Sequence, residues 1–181
     1  MTTFVAALPK IDGPSIEYSL LAPLFIIAGV ATLGVVIEAA WPRATRFPVQ
    51  AGLAIAGVIA ALVDTVYVFQ HLDKIGGGHL ARGQVGAEGA VSIDGPGVLT
   101  WGLLLVFGLM CLMLFADRRL EGGLSAFTGR ASDPPGSASE SDAISHRLEH
   151  TEVFPLAMFA LVGMMLFATS KDLLTMFVAL E

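Results

Sequence analysis

Charge is scarce in this 181-residue chain: Asp, Glu, Lys and Arg make up 14% of it, whereas 55% is hydrophobic. Soluble domains carry about a quarter charged residues, so too few are present to cover a water-facing surface. A mean hydropathy of +0.74 puts lipid where water would be. Cysteine occurs once, at Cys111, which excludes an internal disulfide framework and any multi-cysteine metal or iron–sulfur site. Within its apolar run Cys111 reads as a small packing residue. Asparagine does not occur, so no glycosylation sequon exists. The net charge of −6 and the lack of a basic stripe argue against nucleic-acid binding. The start, "MTTFVAALPKIDGPSIEYS", lacks the basic region and compact apolar stretch of a cleaved signal, and the first long apolar run reads as a retained helix.

What the chain does have is apolar runs. Crossing about 30 Å of hydrocarbon takes roughly 20 helical residues. Four runs meet that need or nearly so: 18–41, closed by Pro42; 49–72; 96–116, stopped by Asp117, Arg118 and Arg119; and 153–170, on the short side. A fifth begins at Lys171 and reaches Glu181 after about ten residues, half a crossing. The expectation is an all-α, polytopic transmembrane bundle of four complete spans and the start of a fifth. It divides into an outer N-terminal segment (1–17), spans one to three (18–121), a linker (122–152) and a last unit (153–181). "PRATRFP" reads as a tight turn between the first two helices. "DKIGGGHLARGQVGAEGAVSID" has no helical period and reads as a loop, with no Gly-Lys-Ser/Thr to hold phosphate. "GRASDPPGSASESD" has the Ser, Pro and Gly content of a flexible linker, and no internal repeat is visible.

Basic residues give the orientation, because positive loops stay cytoplasmic. With alternating helices, Lys10, Lys74, Arg82 and Lys171 share one side; Arg43, Arg46, Arg118, Arg119, Arg130 and Arg147 share the other. Six against four favours an outer N-terminus, with the fifth helix entering from the outer face.

The intramembrane acids are the candidates for chemistry. In "ATSKDLLTMFVALE", Ser170 or Asp172 caps the fifth helix and Lys171 lies at headgroup level. Nine residues on, Glu181 lies about 14 Å deeper, near mid-membrane, with Leu174, Phe177 and Val178 as apolar neighbours. A carboxylate there must be protonated, paired or wetted. Desolvation favours the neutral acid and a nearby cation the anion, so such a group can relay protons. The bland alternative is a carboxylate at an unimportant end. Asp64 follows Gly52, Ala56 and Ala60 at four-residue spacing, a stripe that admits a close helix. It reads as a structural hydrogen bond or an interface-wetted acid, with proton relay as the other reading. Glu38 and Glu17 read as solvated at the inner and outer interfaces, and Asp94 as the cap of the third helix. His146 and His150 share a helical spacing that suits a metal, but no third ligand is evident, and a solvated lead-in to the fourth helix is the better reading. His71 and His79 carry no pattern. The Met and Phe residues of helices three and four read as ordinary lipid-facing and packing side chains.

"FPLAMFALVGMMLFATSKDLLTMFVALE" resembles helices four and five of the antiporter-like subunits of bacterial NADH-quinone oxidoreductase, respiratory complex I, and its "DLLTMFVALE" is closest to the subunit N family. "SIDGPGVLTWGLLLVFGLMCLMLFAD" resembles that family's third helix with its leading Asp. The likeness is specific over 154–181, fair over 90–120, and elsewhere rests on helix spacing. It implies an N-terminal portion of a fold of about fourteen helices, a bacterial inner-membrane location, and a role in coupling NADH–quinone chemistry to proton translocation. By the same resemblance Glu181 matches a glutamate that pairs with a lysine on a later helix, absent here. Partners would be the lipid bilayer, protons and other membrane subunits of the complex. FMN, iron–sulfur clusters and quinone would reside in partner subunits, with no cofactor, metal or redox site in this chain. A subunit of a multisubunit cation/proton antiporter, or a non-transporting scaffold, would fit the same residues.

Overall fold

A computed structural model describes residues 16–75, 83–117 and 150–181. Its elements, in chain order, are α1 (Tyr18–Ala40), α2 (Arg43–Ile75), β1 (Gly83–Gly86), β2 (Val91–Asp94), α3 (Gly95–Ala116), α4 (Val153–Thr169) and α5 (Leu173–Leu180). The all-α reading holds. Three helices, α1, α2 and α3, are long and apolar enough to cross a membrane, and α4 is a shorter apolar helix of 17 residues, about 26 Å long. Most of the expected linker 122–152, and residues 1–15 of the N-terminal segment, lie outside the described residues.

Two expectations are corrected. The turn between α1 and α2 is shorter than "PRATRFP", because α2 already begins at Arg43 and runs through Pro48. Proline near a helix start forfeits few bonds, and Arg46 offsets them by tying the turn together. Its guanidinium donates to the Trp41 carbonyl at 2.6 Å and to Glu38 at 2.7 Å. Part of the glycine-rich loop is also not irregular. β1 and β2 form an antiparallel hairpin with Gly83 opposite Asp94 and Gly86 opposite Val91. The turn puts Ala87, Glu88 and Gly89 at positive φ, and the Glu17 carboxylate accepts the Ala87 amide at 3.3 Å. Val91 and Ile93 face inward with polar neighbours between them, the alternation a half-buried strand requires. That signal was too short to stand out among glycines.

The helices pack through seams spaced three and four residues apart. On α2 the buried positions include Ala51, Ala54, Val58, Ala61, Thr65, Val68 and Leu72; on α1 they include Leu20, Leu24, Ile27, Ala31 and Gly34. The same spacing places Val98, Trp101 and Leu105 on α3 and Phe154, Met158, Leu161 and Met165 on α4. A 3.5-residue repeat is the pattern of left-handed, knobs-into-holes packing. α1 and α3 each touch both α2 and α4, so four helices close around one core, and α5 lies on α4. Lipid tails are as apolar as leucine, so close contact rather than the hydrophobic effect holds such a bundle together. Small residues therefore matter at crossings. A Cβ added at Gly57 would meet Val30 at 2.7 Å, whereas one at Gly52 would meet nothing within 4 Å.

Gly57→Ala should therefore force α1 and α2 apart and destabilise the subunit by about 1–3 kcal/mol, the usual cost of overpacking. Gly52→Ala should be neutral or slightly stabilising by helix propensity. Thermal unfolding of the detergent-solubilised subunit compares them directly.

Candidate functional site: the capped helix that ends on Glu181

The chain breaks between α4 and α5, and the break is secured. Val91 of the hairpin bridges Ser170, and the Lys171 amide donates to the Ala90 carbonyl at 2.9 Å. As expected from the sequence, Asp172 caps α5: its carboxylate accepts the Thr175 amide at 2.7 Å and the Thr175 hydroxyl at 2.9 Å. The Thr175 amide, followed by its hydroxyl, holds the Asp172 carboxyl below its ordinary value of 3.8. On α3, Asp94 makes the equivalent cap, accepting the Gly97 amide at 2.8 Å, with Pro96 in the first turn where its missing N–H costs nothing. Trp101, fully buried, donates its indole N–H to the Met165 carbonyl at 2.8 Å. That bond ties α3 to the end of α4.

Glu181 follows α5 as its C-cap, the amide bonded to the Phe177 carbonyl at 3.3 Å. Within this chain the side chain is exposed. It stands at the edge of an apolar groove of about 970 Å³ whose walls include Thr100 and Leu104 of α3 and Leu156, Phe159 and Gly163 of α4. The groove offers few polar atoms, so a charge on Glu181 would need a partner from outside the described residues or water let into the groove.

The structure does not bring Asp64 into this site, because Asp64 sits on α2 and the groove is built from α3, α4 and α5. The small-residue stripe does not form a seam among the described residues. Gly52, Ala56 and Ala60 face outward, while the buried seam runs through Ala51, Ala54, Val58 and Ala61. Strict four-residue spacing drifts around a helix, whereas the three–four alternation stays on one face. Asp64 is half-buried, and its Oδ2 is enclosed without a hydrogen-bond partner among the described residues.

Sequence reading missed the largest polar cluster. Glu38, read as solvated, is the hub of a network joining α1, α2 and the start of α4. Arg46 pairs with its Oε1 at 2.7 Å, Gln50 donates to its Oε2 at 3.1 Å, and the Thr151 hydroxyl lies 3.0 and 2.8 Å from the two oxygens. Gln50 is only 1% exposed and also donates to the Gly34 carbonyl at 2.7 Å. The eight-residue offset between Glu38 and Arg46 across a proline turn was the available signal for the pair; nothing local pointed to Thr151. Glu17, read as solvated at the outer interface, instead braces the hairpin turn. His150 contacts Glu152 at 3.3 Å, while His146 and His79 lie outside the described residues. No group of three metal-binding side chains occurs among the described residues. Cys111 faces outward from α3 rather than packing in the core.

These features define a class: a polytopic, all-α membrane bundle whose fourth apolar helix gives way to a capped fifth. Similarity narrows it further. No family model matches the chain. It is 56% identical over 168 residues to the NADH-quinone oxidoreductase subunit N of Nocardioides sp., covering 93% of this chain and 31% of that protein. It is 44% identical over 182 residues to subunit N of Acidothermus cellulolyticus, covering 100% of this chain and 33% of the relative. With subunit N of Rhodococcus opacus it shares 38% over 190 residues, covering 94% and 33%. The chain is thus a relative of NADH-quinone oxidoreductase subunit N, and it spans about a third of the length of the curated relatives it matches.

Two outcomes test the geometry. Glu38→Ala removes the acceptor shared by Arg46, Gln50 and Thr151, leaving Arg46 the Trp41 carbonyl and Gln50 the Gly34 carbonyl, and should cost about 1–3 kcal/mol of stability, read as a lower melting temperature of the subunit in detergent. Because the Asp172 carboxyl is held low, its cap is fully present above the ordinary value near 3.8 and is lost as pH falls through the lower folded value. Hydrogen exchange at the Thr175 amide should therefore accelerate, relative to the Phe177 amide, only at strongly acidic pH. In Asp172→Ala it should be fast throughout.

Proposed function

We propose that the chain is part of a proton-translocating membrane subunit of NADH-quinone oxidoreductase, with Glu181 as its relay carboxylate. The observation that carries this reading is the 56% identity, across 93% of the chain, to a protein named subunit N of that enzyme. The capped α5, which ends in a carboxylate beside an apolar groove, supplies the physics. An ionisable group at that depth has a function by default, because an unpaired charge in hydrocarbon costs several kcal/mol.

In this mechanism Glu181 alternates between a protonated state and an anion paired with a cation contributed by the remaining two-thirds of the subunit. A signal from the quinone end changes which state is favoured, and the proton moves on through water and polar side chains. Hydride and electron transfer, with FMN, iron–sulfur clusters and quinone, belong to partner subunits; this chain contributes no redox group. Its partners are the other membrane subunits and the lipid bilayer of the bacterial inner membrane. The end of the bundle holding Glu17, the hairpin and Asp172 faces outward, and the end holding Glu38, Arg43 and Arg46 faces the cytoplasm. Asp64, half-buried on α2, stands apart from the groove that Glu181 lines.

Glu181→Gln in the assembled enzyme should lower NADH-driven proton pumping and the coupled quinone reductase rate roughly a hundredfold, the lower end of the usual range for losing a proton-transfer group, with assembly unchanged. Pumping in inverted membrane vesicles measures it, and wild-type pumping would remove the relay assignment.

A further inference from the structure

We propose that Gly163 is the positioning residue for Glu181, an inference that rests on the relay reading above. A Cβ built on Gly163 would stand 2.7 Å from the carbonyl oxygen of Ala179, two residues before Glu181. At other helix crossings the nearest atoms to an added Cβ are side chains: Val30 at Gly57, Leu161 at Gly108, Pro155 at Gly34. Of these, the Leu161 side chain can rotate aside, whereas Val30 and the ring of Pro155 give way only with their helices. A backbone carbonyl in the last turn of a helix can retreat only if the helix moves with it.

The other end of α5 is held. Asp172 caps it, and the Lys171 amide is bonded to the hairpin at 2.9 Å. α5 is therefore anchored near Ser170–Asp172 and rests at its far end on the bare backbone of Gly163. A methyl group there must push Ala179 out toward an ordinary contact of at least 3.4 Å, swinging the last turn away from α4. Glu181, just beyond the contact, moves with that turn and changes its position at the rim of the groove that Thr100 and Leu104 also line. Displacements of this size matter for a proton-transfer group: a misplacement of about 1 Å can cost on the order of a hundredfold. The glycine thus fixes the distance between the carboxylate and whatever partner faces it across the groove.

The test uses the full-length subunit in the assembled complex, with Gly163→Ala, Glu181→Gln, the double variant, and Gly102→Ala on α3 as a control. A Cβ at Gly102 meets nothing within 4 Å. Gly163→Ala should assemble, lose roughly tenfold in proton pumping and shift the pH profile of pumping. The double variant should be no worse than Glu181→Gln alone, since both changes act through one carboxylate. Unchanged pumping and pH profile in Gly163→Ala, with Glu181→Gln impaired, overturns the positioning role and leaves the relay standing; so does a fully additive loss in the double variant. Normal pumping in Glu181→Gln sinks the relay and this inference together. Should Gly163→Ala fail to assemble, a structure of the unmodified complex decides. A carbonyl of Ala179 seated on Gly163 within about 4 Å upholds the proposal, and an α5 that stands clear of α4 overturns it.

Discussion

Breaking a helix inside an apolar bundle exposes backbone donors and acceptors that lipid cannot satisfy, and everything at the candidate site depends on how this chain resolves that. The break between α4 and α5 frees amides at Lys171 and Thr175. One is taken by the Ala90 carbonyl of the hairpin, the other by the Asp172 carboxylate. Leaving such groups unpaired costs about 1–3 kcal/mol each where they are shielded from water, so the hairpin and the cap hold the break in place. Once α5 starts anew at that end, its direction brings Glu181 back along α4.

Polarity is concentrated at the two ends of the bundle; in the seam between, Thr65 bonds back to the Ala61 carbonyl of its own helix. At one end Glu17, Asp94, Ser170 and Asp172 serve backbone groups of the hairpin, of the starts of α3 and α5 and of the end of α4. At the other, Glu38 gathers Arg46, Gln50 and Thr151 and joins three helices through side chains. A partly buried ion pair of this sort contributes less to net stability than to fixing which helices meet and where. The hub holds the start of α4 and the Trp101–Met165 bond holds its other end, so α4 is fixed at both ends. It is the helix on which α5 rests.

The seams explain why small residues in this chain mean different things at different positions. Gly57, Gly34 and Gly163 sit where a neighbour presses close; Gly52 and Gly102 do not. Four-residue spacing alone singled out Gly52, Ala56 and Ala60, which face outward. The alternation of threes and fours through Ala51, Ala54, Val58 and Ala61 is the one that follows a packed face.

Composition and run length alone settled that the chain is an all-α bundle for lipid, because scarce charge and apolar stretches of about 20 residues leave no other way to satisfy the backbone. Helix bounds within one residue for α1, α3 and α4, the caps at Asp94 and Asp172, and the likeness of "DLLTMFVALE" to subunit N were also legible, since each is written in adjacent residues. Tertiary structure alone decided that Glu38 is a hub, that a hairpin staples the α4–α5 break, that Asp64 stands apart from Glu181, and that α5 rests on Gly163. Each of these joins residues far apart in the chain, by up to 113 positions for Glu38 and Thr151. No local pattern encodes such a contact, which exists only once the helices have packed.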